Sequence, residues 1–281
     1  MIETKQTKKV QPANIVAYIV LVIACLLVIL PFLVILATSF QTYADSTKVP
    51  FRFFRGYIDL NSYKQVINSP SVWTGLTNTL IVVVPIMIIG VFTSALSAYA
   101  FAKLNFKGKG VMFAVLMFSM MLPGVITMTP AYVIYDMIGW TDSYKPLMIP
   151  NAFGTVSCMF FLRQYFYGIP KEMTEAAEID GLGKFGTFIR IIIPLSAPAL
   201  VAQMVLWFIA GYNDYFGPML YIDTRSKYTL QLVLRLMTGS AESNFPKIMA
   251  CCIIIMIPML ILYFVAQKQL IQGIASTGLK D

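Results

Sequence analysis

The sequence predicts an all-α polytopic membrane protein with six transmembrane helices. Hydrophobic residues make up 58% of the 281-residue chain and charged residues only 12%, whereas soluble domains carry roughly 25% charged residues. The apolar residues fall into six blocks, each near the roughly 20 residues that cross the hydrocarbon core of a bilayer. These blocks are residues 14–38, 76–102, 110–135, 145–166, 197–221 and 247–267.

The first block predicts a retained helix rather than a cleaved signal peptide. Its apolar run is about 25 residues long, which exceeds the hydrophobic region of a signal peptide, and it lacks a sharp small-residue cleavage pattern. The predicted organisation is therefore a tail, a first span, an outer loop, a five-span core and a second tail. These segments are residues 1–13, 14–38, 39–75, 76–267 and 268–281.

The later blocks differ in regularity. The fifth and sixth are plain apolar runs like the first, whereas the third and fourth are interrupted by Pro123, Gly124, Pro130, Pro150 and Gly154. Spans tolerate such residues when neighbouring helices or water satisfy the freed backbone groups. The breaks fit two interpretations, kinked helices that pack together or helices that line a pathway.

Basic residues predict which side of the bilayer the termini face. Six spans place both termini on one side, and that side carries 12 of the 21 Lys and Arg residues. The short loop after the second span is dense in lysine, with Lys103, Lys107 and Lys109. By the positive-inside rule, both termini face the cytoplasm in a cell membrane. We attribute the net charge of +8 to this topology and not to binding of nucleic acid.

A polar segment, residues 167–196, interrupts the apolar pattern between the fourth and fifth spans. It contains an acidic helical stretch, residues 172–180, then Gly181, which can end a helix, and a second short helix over residues 184–194. The acidic stretch has four acids and no base, whereas helices that lie on a membrane favour Lys and Arg. We therefore interpret the segment as an elbow on which a basic partner docks.

The fifth block contains polar residues, Asn213 and Asp214, with Trp207 and Tyr212 nearby. Polar groups within a span are costly and usually face a bundle interior or a wet cavity. Hydrogen-bonding groups beside flat rings suit a hydroxyl-rich solute, so all four residues are candidates for a substrate pathway. A hydrogen bond that ties two helices together is an equally open interpretation.

Catalytic, metal and cofactor sites are not expected. The chain has no histidine, which excludes Ser-His and Cys-His nucleophiles and His-ligated zinc. Its four cysteines lie in apolar blocks, where they behave as small hydrophobes rather than as a disulfide framework. Residues 181–186 match G-x-G-x-x-G, yet they follow an acidic helix rather than a strand, so they do not predict a dinucleotide or ATP site.

The elbow carries a motif that resembles the EAA signature of the inner-membrane permeases of ABC importers: E-A-A, three residues, G, nine residues, I-x-L-P. The matching residues are Glu175, Ala176, Ala177, Gly181, Ile191 and Pro194. Segments 120–123, 161–170 and 212–214 further resemble the carbohydrate-uptake branch, most of all the smaller, MalG-type permeases of maltose transporters. Ile193 replaces the usual Leu, and Tyr212 stands where Trp is common.

This resemblance implies the type I permease fold and a set of partners. The motif residues would form a coupling helix that fits a cleft on a cytoplasmic ATPase, with Glu175 facing a basic residue of that ATPase. The partners would be a homologous but different second permease, two ATPase subunits and an extracellular or periplasmic sugar-binding protein. A second outer loop, residues 222–246, would reach toward that binding protein, unless it is an ordinary solvated connection.

The predicted function is one permease half of an ATP-driven importer of carbohydrates, with ATP hydrolysed by partner subunits. A self-sufficient secondary transporter that uses an ion gradient is the alternative. It is disfavoured because the six spans show no evident repeat and Asp214 is the single deep acid for ion coupling. A membrane enzyme would need catalytic residues that the sequence lacks.

Overall fold

The computed structural model describes residues 12–239 and 244–278, which fold into helices joined by turns, without strands. The all-α prediction is therefore confirmed. The longer helices are α1 (Pro12–Ser39), α4 (Pro70–Lys103), α5 (Lys109–Met120), α6 (Gly124–Met137), α8 (Val156–Tyr167), α12 (Ala197–Tyr212) and α15 (Phe245–Gly278). The shorter ones are α2 (Tyr43–Ser46), α3 (Asn61–Ile67), α7 (Lys145–Ala152), α9 (Lys171–Ile179), α10 (Lys184–Thr187), α11 (Ile193–Leu195), α13 (Phe216–Tyr221) and α14 (Leu230–Thr238).

Parts of three predicted segments lie outside the described residues. They are most of the N-terminal tail, the end of the C-terminal tail and part of the second outer loop, at residues 1–11, 279–281 and 240–243.

The prediction of six spans is not confirmed. Three described helices are long and apolar enough to cross a membrane, over Val16–Ser39, Pro70–Lys103 and Phe245–Ile271. Two bent helix pairs would raise the number to five if each pair forms one span. These pairs are Lys109–Met120 with Gly124–Met137, bent by 97°, and Lys184–Leu195 with Ala197–Tyr212, bent by 79°.

Proline and turn residues explain where the helices break. Pro123 adopts extended backbone between α5 and α6, and its ring disfavours a helical conformation for the preceding residue. The fourth predicted span consists of the short helices α7 and α8, separated at Phe153–Thr155. The fifth, which looks continuous in the sequence, is broken between Tyr212 and Phe216.

Of the described residues, 69–236 and 255–278 form one compact unit with α4 as its central helix. Helix α4 packs against α7, α8 and α12. Its Ala95 and Ala98 are fully buried, and such small residues let neighbouring helices approach closely. The core of this unit also contains Leu162, Phe166, Phe188, Ile192 and Ala199. Phe188 and Ile192 belong to the elbow itself, so the elbow is built into this buried cluster.

The second compact unit contains the described residues 12–68, 237–239 and 244–254. After α1 the chain turns back on itself, because the Asp59 N–H donates to the Phe40 carbonyl at 2.8 Å. The buried Asp45 carboxylate organises this turn by accepting from Lys48 Nζ at 2.8 Å and from the hydroxyls of Thr42 and Tyr57. The hydrogen bond from Lys48 is the main cause that lowers the pKa of Asp45.

Candidate functional site

Helix α9 of the elbow carries the first three motif residues, and two of them face the outside. Glu175 and Ala176 are exposed, whereas Ala177 is only 3% exposed and packs inward. The acidic Glu172 lies in the first turn, where negative charge stabilises the positive end of a helix. One face of α9 is therefore acidic and open, and the other rests on the protein.

Gly181 ends α9 through backbone geometry and not through lack of space. Its φ is +79°, in the left-handed region, and no atom lies within 4 Å of where a Cβ would stand. The Leu182 N–H donates to the Ala177 carbonyl at 2.9 Å and the Gly181 N–H to the Glu178 carbonyl at 3.1 Å. These two bonds form a Schellman motif, which favours glycine at this position.

The second half of the elbow is anchored in the core. Helix α10 leads into a π-helical turn, Phe188–Ile192, and then into α11. The rings of Phe188 and Tyr99 are 5.3 Å apart, and Phe188 and Ile192 are fully buried. Pro194 lacks an N–H and its ring crowds the carbonyl four residues before it, which accounts for the wider turn. Ile191 is half-buried on the same segment.

Two basic residues, Lys103 and Arg163, stabilise the helices on which the elbow is built. Lys103 Nζ donates to the Ile169 carbonyl at 2.6 Å, which ties the end of α4 to the chain just before α9. Arg163 Nε donates to the Phe101 carbonyl at 3.3 Å, and its guanidinium lies 3.9 Å from the centre of the Phe113 ring. Lys103 therefore ties α4 to the segment that leads into α9, and Arg163 ties α8 to α4 and α5.

Sequence reasoning also missed the exposed apolar side chains of the elbow. Ile179 is 87% exposed and Phe185 is 61% exposed, one on each side of the Gly181 turn. Large apolar residues at the surface are typical of contact sites for another protein. The sequence did not reveal their exposure, because an isolated apolar residue in a polar segment can equally be buried in the core.

A cavity of about 270 Å³ lies between α4, α7, α12 and α13. The Trp207 side chain lines it, and a Cβ on Gly90 would lie only 1.9 Å from the Trp207 ring. Glycine at position 90 is therefore what lets the indole lie against α4. The other lining residues include Thr79, Val82, Val83, Ile86, Leu147, Asn151, Gly211, Asp214, Pro218 and Thr229.

Asp214 lines the same cavity from the break after α12. Its Oδ1 accepts from the Gly217 N–H at 3.2 Å, so the carboxylate also orders the start of α13. Thr229 is 4% exposed, and its Oγ1 has no hydrogen-bond partner among the described residues. Asn151 Nδ2 donates to the Leu147 carbonyl at 2.8 Å. Aromatic, amide, hydroxyl and carboxylate groups thus converge on one space.

The structure separates Tyr212 and Asn213 from this cavity. Tyr212 is fully buried, and its hydroxyl donates to the Ile255 carbonyl of α15 at 2.9 Å. Asn213 is exposed, and its Nδ2 donates to the Ile209 carbonyl at 2.9 Å. Neither residue lines the cavity. Of the four candidate pathway residues, only Trp207 and Asp214 are brought together there.

Asp142, which the sequence analysis did not single out, ties two loops of this unit together. It is the one non-glycine residue with positive φ, 49°, among the described residues. Its carboxylate accepts from the Thr224 N–H at 2.9 Å, from the Thr224 hydroxyl at 2.6 Å and from Lys227 Nζ at 2.7 Å. These bonds, the one from Lys227 foremost, hold the pKa of Asp142 below its usual range.

Most of the chain matches one family of known proteins. Residues 86–276 match the description "Binding-protein-dependent transport system inner membrane component". A probable ABC transporter permease protein of Pyrococcus horikoshii is 30% identical over 248 residues, which are 87% of this chain and 90% of that protein. The trehalose/maltose transport system permease protein of Thermococcus litoralis is 29% identical and covers 95% of each chain.

A solved structure has the same fold. It is a bacterial ABC transporter involved in the import of the acidic polysaccharide alginate, and one of its chains matches with a TM-score of 0.80 and 26% sequence identity. The match covers 91% of this chain and 95% of that chain.

Proposed function

Because this chain belongs to the family of binding-protein-dependent transport system inner membrane components, we propose that it forms one half of the translocation pathway of a carbohydrate importer. The chain is a permease subunit of an ABC importer with the type I permease fold, and it is a transport subunit rather than an enzyme. The alternative of a secondary transporter driven by an ion gradient is therefore set aside. The similarity to a trehalose/maltose permease supports a carbohydrate substrate.

The coupling role of the elbow rests on one observation above all: α9 is open on one side while the segment after it is anchored in the core on the other. We infer that Glu175, Ala176 and Ala177 form the part on which a cytoplasmic ATPase subunit acts. Movement of α9 would pass through the Gly181 turn to Phe188, and from there to α4. Packed side chains and helices of this kind can carry energetic coupling from the ATPase to the membrane helices.

The exposed chemistry of the elbow suits a protein partner. Glu175 offers charge to a basic residue of the ATPase, Ala176 leaves the backbone accessible, and Ile179 and Phe185 offer apolar surface. Interfaces of this kind combine an apolar centre with a charged rim. Ile191 and Pro194 would set the angle at which the second half enters the core.

The cavity is proposed as the part of the pathway that this subunit contributes. Trp207 presents a flat apolar ring, and Asp214 and Asn151 supply polar side chains to the lining. Its volume of 270 Å³ is slightly below the range of roughly 300–1,000 Å³ typical of complete ligand sites. A second, homologous permease would supply the remainder. We propose Tyr212 and Asn213 as structural ties in place of substrate contacts.

The full importer would contain this chain, a different second permease, two cytoplasmic ATPase subunits and an extracellular or periplasmic sugar-binding protein. We propose a multi-pass arrangement in the cell membrane with both termini and the elbow in the cytoplasm. ATP-driven closure of the ATPases would then rock the helices and open the cavity alternately to each side.

Reconstitution in liposomes tests the proposed function. The complete importer is expected to take up sugar only with ATP and binding protein, and the purified single chain is expected to bind no ATP and take up nothing. Glu175→Lys should weaken co-purification of the ATPase, whereas Asp223→Lys, the same charge change in the outer loop, should not. Ion-driven uptake by the single chain, or equal effects of the two reversals, would contradict the proposal.

A further inference from the structure

One acidic residue lines the cavity. Asp214 is the only charged side chain among the described residues that line it. Asp214 Oδ1 accepts from the Gly217 N–H at 3.2 Å, which holds the carboxyl group beside the start of α13. A Cβ at position 217 would lie 2.5 Å from the second carboxylate oxygen, so the glycine leaves the room that this oxygen occupies.

The remaining lining offers hydrogen bonds without positive charge. The Thr229 hydroxyl is buried and has no partner among the described residues. A hydroxyl both donates and accepts, and it is costly to leave unpaired when buried. That oxygen is enclosed by the protein, so a sugar would instead meet Asn151 and the ring of Trp207, which both line the cavity. A carboxylate on the sugar would find no cation among these lining residues.

We propose that this cavity favours uncharged sugars over sugars that carry carboxylates, and that Asp214 determines the selectivity. This inference rests on the pathway role proposed above and adds the chemical class of the substrate. Neutral hydroxyls can donate to the Asp214 carboxylate in charge-assisted hydrogen bonds. A uronate would instead bring a second negative charge into the same small space.

The size of the cavity sets the size of the effect. Because a sphere of 270 Å³ is about 8 Å across, a uronate carboxylate inside it lies within about that distance of Asp214. At an effective dielectric constant of about 20, two like unit charges about 8 Å apart repel each other. The free energy of this repulsion corresponds to an affinity weaker by a factor of about 30. Discrimination of at least this order is expected if the carboxylate faces the sugar.

Equilibrium dialysis on the intact importer, purified with its partner permease and ATPase subunits but without binding protein, tests the inference. The probes are labelled maltotriose and a labelled alginate trisaccharide, which match in length and differ in charge. Maltotriose should bind about 30-fold or more tightly than the acidic trisaccharide. Asp214→Asn should reduce this ratio by about the same 30-fold factor, and Asp223→Asn, which removes a charge outside the cavity, should leave it unchanged.

Two further variants keep the inference testable if Asp214→Asn does not assemble. Asp214→Glu should preserve the ratio, and Asn151→Asp, which adds a second acid to the lining, should increase it. Equal binding of the two trisaccharides by the unaltered importer would overturn the selectivity while leaving the pathway role intact. Binding of neither would overturn both. An unchanged ratio in Asp214→Asn would show that Asp214 only orders the turn before α13.

Discussion

Replacing Gly181 with valine tests whether the turn after α9 transmits force from the ATPase to the helix bundle. Position 181 has a φ of +79° and open space around a Cβ, and Gly183, two residues on, has open space and a φ of −68°. The two glycines therefore differ in backbone conformation and not in crowding. Valine at both positions gives a matched pair in one loop.

The backbone geometry sets the expected magnitude. An L-residue in the left-handed region costs roughly 1–2 kcal/mol, and valine belongs to the upper end because it is β-branched. A destabilisation of this size lowers the population of the native turn by a factor of about 5 to 30. Gly183→Val carries no such cost, and Gly181→Asn carries less, because asparagine tolerates this conformation.

The assay compares ATP hydrolysis with sugar uptake by the complete importer in liposomes. We expect Gly181→Val to assemble normally, to lose sugar-stimulated hydrolysis and to take up several-fold less sugar per ATP. Gly181→Asn should lie between this variant and the unaltered importer, and Gly183→Val should be close to normal. Normal coupling in Gly181→Val, or an equal loss in Gly183→Val, would refute the role of the turn.

Three other substitutions test contacts that the structure defines. Tyr212→Phe removes the hydroxyl that donates to a carbonyl of α15. It should lower the stability of the complex by about 0.6–2 kcal/mol in thermal melting and leave sugar preference in competitive uptake unchanged. A changed preference would show that Tyr212 contacts the sugar. Gly90→Ala places a Cβ 1.9 Å from the Trp207 ring. It should lower the free energy of unfolding by about 1–3 kcal/mol through overpacking and weaken sugar binding. Unaltered melting and binding would argue against the close fit. Asp142 has a lowered pKa because of Lys227, so the stability that it contributes is present above the ordinary aspartate pKa of about 3.9 and is lost as the pH falls below it. Asp142→Asn should therefore reduce the loss of thermal stability between neutral and acidic pH, and an unchanged pH profile would show that this tie is unimportant.

The sequence was sufficient wherever the determining interactions are local. Apolar composition predicts a helical membrane protein because a bilayer leaves few ways to satisfy the backbone. The elbow was predictable for a similar reason, since an acidic helix that ends at Gly181 follows from propensity and capping over a few residues. The residues at 175–194 could be assigned to one motif because their spacing is a property of the chain itself.

Tertiary structure decided which distant residues meet. Thr79, Asn151, Asp214 and Thr229 line one cavity although up to 150 positions separate them, and no local pattern predicts such convergence.

The same limit explains the other differences between sequence and structure. Tyr212 and Asp214 are two positions apart and were indistinguishable in sequence, yet one is fully buried against α15 and the other lines the cavity. Asp142 gained its role from Thr224 and Lys227, more than 80 positions away. Helix ends and turns follow from short-range backbone chemistry, whereas burial and hydrogen-bond partners depend on how the helices pack, which local sequence does not encode.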